Sequence, residues 1–222
     1  MRLVERPSPN HDARPGGVDM LILHYTGMPT GESALERMCD PDAKVSAHYM
    51  IDEDGTVYRL VREERRAWHA GVSYWAGEKN VNGRSIGVEL VNPGHEWGYR
   101  PFPTAQIEAL IELSRGILER HPIPARHVLG HSDVAPDRKT DPGELFPWRA
   151  LAKSGIGLWP SPGKLEGDFA QALAAFGYGV SPDVPASLEC VTAAFQRHFR
   201  PALVDGVADA ECTAILAGLV AA

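Results

Sequence analysis

Cysteine is scarce in this sequence: the 222 residues include only Cys39, Cys190 and Cys212. None of them belongs to a Cys-x-x-Cys pair, so the sequence offers neither a disulfide framework nor the cysteine ligands that closed structural zinc sites commonly use. The odd number of cysteines and the lack of a disulfide framework both suit a reducing compartment. Any metal site must therefore draw on histidine and carboxylate side chains.

Long apolar runs and an excess of basic residues are absent as well. No segment approaches the ~20 apolar residues of a transmembrane helix, and residues 1–7 place an acid and a proline where a signal peptide needs apolar residues. The formal net charge is -7, with no run of Lys and Arg, which argues against nucleic acid as a partner. These features predict a cytoplasmic chain with no membrane segment.

One proline-broken loop, residues 131–141, combines an imidazole, an ammonium and a carboxylate. Pro136 and the polar residues after it favour a loop that returns Asp141 toward His131. His24 ends an apolar run, and with it the chain offers two imidazoles and one carboxylate. This set suits a catalytic Zn²⁺, which typically takes three protein ligands and leaves a fourth position open. The alternative is an ordinary surface loop with scattered charges.

Glu89 is a charged residue within the apolar segment at 85–91. Carboxylates are rarely buried without a partner, so a nearby cation or a role as general base would explain it. The alternative is a glutamate at a strand end that points to solvent. Lys139 precedes Asp141 by two residues, and in extended chain the two side chains point the same way. In that conformation the spacing would place an ammonium beside a metal held by Asp141.

Five motifs in this order resemble the zinc-dependent N-acetylmuramoyl-L-alanine amidases, the type 2 amidase family related to peptidoglycan recognition proteins. They are LILHYT at 21–26, SAHYMI at 46–51, AWHAG at 67–71, SIGVEL at 85–90 and the loop at 131–141. The resemblance covers roughly residues 15–150. It implies that His24, His131 and Asp141 are the zinc ligands, that Glu89 activates water, and that Lys139 is the cation beside the reacting carbonyl.

The same resemblance implies hydrolysis of the amide between the lactyl group of N-acetylmuramic acid and L-alanine, in peptidoglycan or muropeptides. Trp68 and His69 are predicted to bind substrate, because an indole face suits a sugar ring and an imidazole bonds hydroxyl or peptide groups. His48 is interpreted as structural. Two alternatives stay open: a non-catalytic peptidoglycan recognition module, which the complete residue set disfavours, and a zinc peptidase that cuts within the stem peptide.

The apolar pattern predicts an α/β fold with a central mixed sheet flanked by helices. A helix is predicted at 104–120, where apolar residues follow the helical period, Thr104 caps the start and Pro122 stops the end. Predicted strands, bounded by turn residues, lie at 18–24, 47–52, 56–61, 85–91 and 127–130.

After Trp148 the composition changes, and a Gly, Pro and Ser-rich segment at 153–166 predicts a linker. The division is then a catalytic domain at 1–152 and a small three-helix domain at 167–222. Its helices are predicted at about 167–176, 186–199 and 208–220.

Ala194-Phe195-Gln196 and the later Asp205-Gly206 resemble a peptidoglycan-binding domain of the three-helix type, although Cys212 stands where such domains usually carry Thr. The alternative is a helical cap on one flank of the catalytic domain. We expect a monomer whose partner is peptidoglycan or a muropeptide.

Overall fold

Short apolar segments along the chain pair into a mixed sheet in the computed structural model, which describes residues 2–180 and 184–221. The strands are β1 (Arg2–Glu5), β2 (His11–Ala13), β3 (Met20–Tyr25), β4 (Tyr49–Ile51), β5 (Thr56–Arg59), β6 (Arg65–Ala67), β7 (Ser85–Leu90) and β8 (Val128–Gly130). The helices are α1 (Gly31–Cys39), α2 (Val81–Arg84), α3 (Gly94–Trp97), α4 (Thr104–Arg120), α5 (His131–Val134), α6 (Trp148–Lys153), α7 (Phe169–Phe176), α8 (Leu188–Phe199) and α9 (Ala210–Val220).

The main sheet has the strand order β1-β5-β4-β7-β3-β8. Strands β4, β7, β3 and β8 are parallel, while β5 runs antiparallel to β4 and pairs in parallel with β1. Strands β2 and β6 form a separate antiparallel pair. The predicted central mixed sheet with flanking helices is confirmed, and each predicted strand overlaps an observed one.

Helix α4 covers one face of the sheet and has the predicted bounds. Its apolar stripe, which includes Leu110, Leu113 and Ile117, packs on side chains that alternate along the strands, such as Leu21 and Leu23 of β3. The predicted capping role of Thr104 is wrong. Thr104 is the first residue of the helix, so the N-cap position belongs to Pro103. No side-chain hydrogen bond caps this end of the helix.

The opposite face of the sheet carries the other set of alternating side chains. There Met20 and Ile22 of β3 belong to one apolar cluster with Phe195 of α8 and Leu216 of α9. The three predicted C-terminal helices correspond to α7, α8 and α9. They share this apolar cluster with β3 and β8, and the division of the chain at 153–166 stays a prediction.

Within the described residues, no helix combines the length and the apolar character that crossing a membrane requires. The cytoplasmic compartment and the monomeric state stay predictions.

Candidate metal centre and cleft

The site begins at the carboxyl ends of parallel strands β3 and β7. His24 and Glu89 are register partners on these strands, so their side chains leave the same face of the sheet. On the other side of β3, strand β8 ends at Gly130 and His131 begins α5 directly. The topology thus brings together residues that are far apart in the sequence, at the edge where open α/β sheets commonly bind ligands.

Three ligand atoms converge at this edge. The Nδ1 atom of His24 lies 3.0 Å from Nδ1 of His131 and 3.0 Å from Oδ2 of Asp141. Nδ1 of His131 lies 3.1 Å from the same oxygen, and all three residues are buried. A tetrahedral zinc with bonds of about 2.0–2.1 Å spaces its ligand atoms about 3.3 Å apart. The observed triangle is therefore close to the size that a zinc ion needs.

The hydrogen bonds of His131 show which of its nitrogens is free. Nε2 lies 3.1 Å from the carbonyl oxygen of Ala70, so this nitrogen carries the proton and donates it. In a neutral imidazole the other nitrogen, Nδ1, is then an acceptor with an exposed lone pair. It faces a second imidazole nitrogen and a carboxylate oxygen. A cation bound between these three acceptor atoms would stabilise their close approach.

The proton on His24 is assigned by a chain of hydrogen bonds. The hydroxyl of Ser85 donates to the carbonyl oxygen of Val81 at 2.7 Å, so its oxygen accepts from Nε2 of His69 at 3.1 Å. Nδ1 of His69 then accepts from Nε2 of His24 at 3.0 Å. His24 is left with a bare Nδ1 directed at the ligand triangle. A hydrogen bond from the nitrogen that does not bind the metal commonly fixes the ring orientation of a metal-binding histidine.

The charges of the triangle also suit a metal. Burial, with a further effect of His131, lowers the pKa of His24 to about 4, so this imidazole is neutral at neutral pH. Burial alone would raise the pKa of Asp141, but the two imidazoles outweigh it and hold this pKa well below its usual value. Metal binding requires neutral imidazoles and an ionised carboxylate. The donor set therefore fits Zn²⁺.

Glu89 stands beside this triangle in a different electrostatic state. Burial raises the pKa of its carboxyl well above the usual value; the Asp141 carboxylate adds to the rise and the Lys139 ammonium opposes it. Its Oε2 is buried and has no hydrogen-bond partner among the residues that the structure describes. A buried carboxylate oxygen without a partner is rare and needs an explanation. Transfer of protons to and from a bound substrate would supply one.

These groups line an open cleft of about 370 Å³. Of the residues predicted for the site, those on its walls are His69, Glu89, His131, Lys139 and Asp141. His24 lies behind them, with 1% of its surface exposed.

Two predicted substrate-binding residues have different surroundings. His69 is buried against His24, a contact that no sequence motif indicated, and Ser85 behind it gave no sequence signal either. Trp68 is partly buried beside Ser46, which accepts its backbone N–H, and it is not among the residues that line the cleft. The contacts of Trp68 and His69 with substrate stay predictions. His48 accepts the N–H of Gly87 at its Nδ1, as a structural residue would.

Comparisons with known proteins agree on one family. The profile of the family described as N-acetylmuramoyl-L-alanine amidase matches residues 13–144. The N-acetylmuramoyl-L-alanine amidase AmiD of Escherichia coli is 38% identical over 91% of this chain and 82% of its own length. The 1,6-anhydro-N-acetylmuramyl-L-alanine amidase AmpD of Enterobacter cloacae is 37% identical over 64% of this chain and 84% of its own length.

Solved structures extend the likeness to the helical C-terminal segment. The complex of AmiD from E. coli with anhydro-N-acetylmuramic acid-L-Ala-D-gamma-Glu-L-Lys superposes with a TM-score of 0.82, at 38% identity, and covers 95% of this chain and 92% of that one. AmpDh3 from Pseudomonas aeruginosa in complex with an anhydromuramic pentapeptide gives a TM-score of 0.82, at 34% identity, and covers 92% of both chains.

Proposed function

The chain belongs to the N-acetylmuramoyl-L-alanine amidase family, and we propose that its cleft hydrolyses the amide between the lactyl group of N-acetylmuramic acid and L-alanine in peptidoglycan or muropeptides. The observation that carries this proposal is the buried triangle of His24, His131 and Asp141 next to Glu89, whose Oε2 has no partner among the described residues. A triangle of donors beside a free base is what metal-assisted amide hydrolysis requires.

Zinc is the ion that this donor set fits best. Held by two imidazoles and a carboxylate, the ion would keep a fourth position for water or substrate. When bound, Zn²⁺ polarises a carbonyl oxygen and lowers the pKa of water to about 7. The cleft on the open side of the triangle gives the substrate amide access to this position.

The chain's own groups divide the remaining chemistry. Glu89 removes a proton from the attacking water and later delivers it to the departing alanine nitrogen, because its raised pKa suits a group that both accepts and donates. The Lys139 ammonium, on the cleft wall, stabilises the carbonyl oxygen as it becomes negative.

The substrate class is proposed from the solved relatives, which hold anhydromuramyl peptides. An exposed cleft accommodates a small anhydromuropeptide, and polymeric peptidoglycan is the second substrate to test. The compartment in which this chain would meet either substrate stays open.

Incubation with anhydro-N-acetylmuramyl-L-Ala-γ-D-Glu-L-Lys, followed by mass analysis, tests the reaction. We expect two products, free anhydro-N-acetylmuramic acid and the intact tripeptide, and we expect activity to disappear on chelation and return with Zn²⁺. Cleavage between two amino acids would make the chain a zinc peptidase instead. Binding without cleavage in the presence of zinc would make it a recognition module.

A further inference from the structure

Asp133 is a buried carboxylate two residues from the ligand His131. Only 1% of its surface is exposed. It accepts three hydrogen bonds: from the N–H of Gly130 at 2.7 Å, from the hydroxyl of Tyr178 at 2.6 Å, and from Nδ1 of His198 at 2.7 Å. Two of these three donors come from the C-terminal helical segment. A catalytic loop and a distant part of the chain are therefore joined through one carboxylate.

The hydrogen bonds of Asp133 with Tyr178 and His198 form a junction between the C-terminal helical segment and the loop at 131–141. The ring of His198 makes a further contact near this loop. It stacks on Trp148 with ring centres 3.7 Å apart and an interplanar angle of 18°. A side chain at Gly130 would lie 2.8 Å from Pro142 and 3.3 Å from Trp148, so these groups pack without free space. Pro142 follows the ligand Asp141 directly. The helical segment thus packs, through Trp148, against the residues next to two of the three ligands, His131 and Asp141.

The ligand loop itself has little local stability. Helix α5 is a single turn of four residues, and isolated helices of this length do not form in water. Two backbone hydrogen bonds link the two ligand-bearing parts of the loop: the N–H of Ser132 donates to the carbonyl oxygen of Asp141 at 2.9 Å, and the N–H of Lys139 donates to that of Ala135 at 3.0 Å. Tertiary contacts add to these few local bonds in setting the position of His131 relative to Asp141.

We propose that Tyr178 and His198 are positioning residues: through Asp133 they hold the α5 turn so that His131 and Asp141 keep their spacing for the metal. The proposal rests on the function proposed above, since it assumes that these residues bind zinc. Groups that hydrogen-bond a ligand side chain are typically worth 10-fold to 100-fold in metal affinity. Tyr178, which follows α7, and His198 of α8 act one residue further out, through Asp133.

Zinc affinity of the intact chain, measured by competition with a chelator, tests the proposal without any substrate. We expect Tyr178→Phe and His198→Gln each to weaken zinc binding by about 10-fold or more. Tyr178→Phe removes a single oxygen, so it remains informative if His198→Gln fails to fold.

The chain contains a matched control around Glu63, which also accepts a tyrosine hydroxyl and a histidine nitrogen. The hydroxyl of Tyr49 lies 2.7 Å from Oε1 and Nε2 of His121 lies 2.7 Å from Oε2. Neither residue belongs to an element that carries a ligand. We expect Tyr49→Phe and His121→Gln to lower the thermal unfolding temperature and to leave zinc affinity unchanged.

Three outcomes are decisive. If Tyr178→Phe lowers the unfolding temperature as Tyr49→Phe does but binds zinc as tightly as the unchanged chain, the junction is structural and the proposal is wrong. If the unchanged chain binds zinc and cleaves the muropeptide while Tyr178→Phe alone loses affinity, the proposal is supported. Failure of the unchanged chain to bind zinc would overturn the proposed function itself, which separates the two ideas.

Discussion

Two carboxylates share the site, and their surroundings drive their pKa values apart. Two imidazoles hold the pKa of Asp141 below its usual value despite burial, whereas burial raises the pKa of Glu89 and Asp141 raises it further. Pairs of acids that are separated in this way commonly divide the work, one as a permanent anion and the other as a proton carrier. The contrast supports the proposed roles of Asp141 as a metal ligand and of Glu89 as the proton carrier.

Glu89→Gln separates these two roles. The amide keeps the shape of the side chain but takes up no proton, so we expect zinc content to stay the same while kcat falls by about 10²-fold or more. Steady-state kinetics on the anhydromuropeptide and metal analysis measure the two quantities. Glu108→Gln, an exposed glutamate on α4, removes the same charge outside the cleft and should leave kcat unchanged. Full activity in Glu89→Gln would mean that another group is the base.

Strand β7 positions three groups on the site face of the sheet, because alternate residues point the same way. Ser85 receives the hydrogen bond from His69, Glu89 faces the cleft, and Gly87 lies between them. A Cβ atom at Gly87 would lie 2.5 Å from the His69 ring, which is closer than real contacts allow. The absence of a side chain at this position therefore lets His69 reach His24.

Gly87→Ala tests this arrangement of the strand. The added methyl must displace the His69 ring, so we expect zinc affinity to fall by about 10-fold and the free energy of unfolding to fall by about 1–3 kcal/mol. Chelator competition and urea unfolding measure the two changes. Gly16→Ala is the matched control, since a Cβ there meets no atom within 4 Å. Unchanged zinc affinity in Gly87→Ala would show that the contact between His69 and His24 does not support the metal.

At the scale of the whole molecule, the C-terminal helices and the sheet share one apolar cluster. The cluster also contains residues from outside these helices that are almost fully buried. They include Met20, Ile22, Trp75, Leu129 and Val134. Burial of one such side chain contributes about 1.5–3 kcal/mol. Exposure of even two or three of them is therefore a large loss for a domain whose net stability is typically about 5–15 kcal/mol.

A chain that ends at residue 160 should therefore be insoluble or unfolded, because it exposes this apolar face. Expression of the shortened and the full-length chains side by side, followed by circular dichroism and urea unfolding, measures the effect. A soluble shortened chain that unfolds cooperatively and cleaves the anhydromuropeptide would instead support two separate domains. Glycan binding by the helices is best tested in the full-length chain, by retention on purified sacculi.

Local sequence patterns predicted five of the strands (β3, β4, β5, β7 and β8) and four of the helices (α4, α7, α8 and α9), and they showed which residue types are present for chemistry. They gave no signal for β1, β2, β6 or α1. The helical period between 104 and 120 predicts α4 to the residue, since its apolar stripe and the following Pro122 are both local signals. The motifs around His24, Glu89 and the loop at 131–141 point to the family for the same reason: each is a short run of sequence.

Tertiary structure alone decided how those residues contact one another. Which nitrogen of His24 faces His131 and Asp141 depends on His69, 45 positions away, and Asp133 meets His198 across 65 positions. No local pattern records such contacts, because they arise when the sheet and the helices pack. The covering of one sheet face by the C-terminal helices has the same cause: hydrophobic burial favours any apolar partner of the right shape, and only the folded chain shows which one it is.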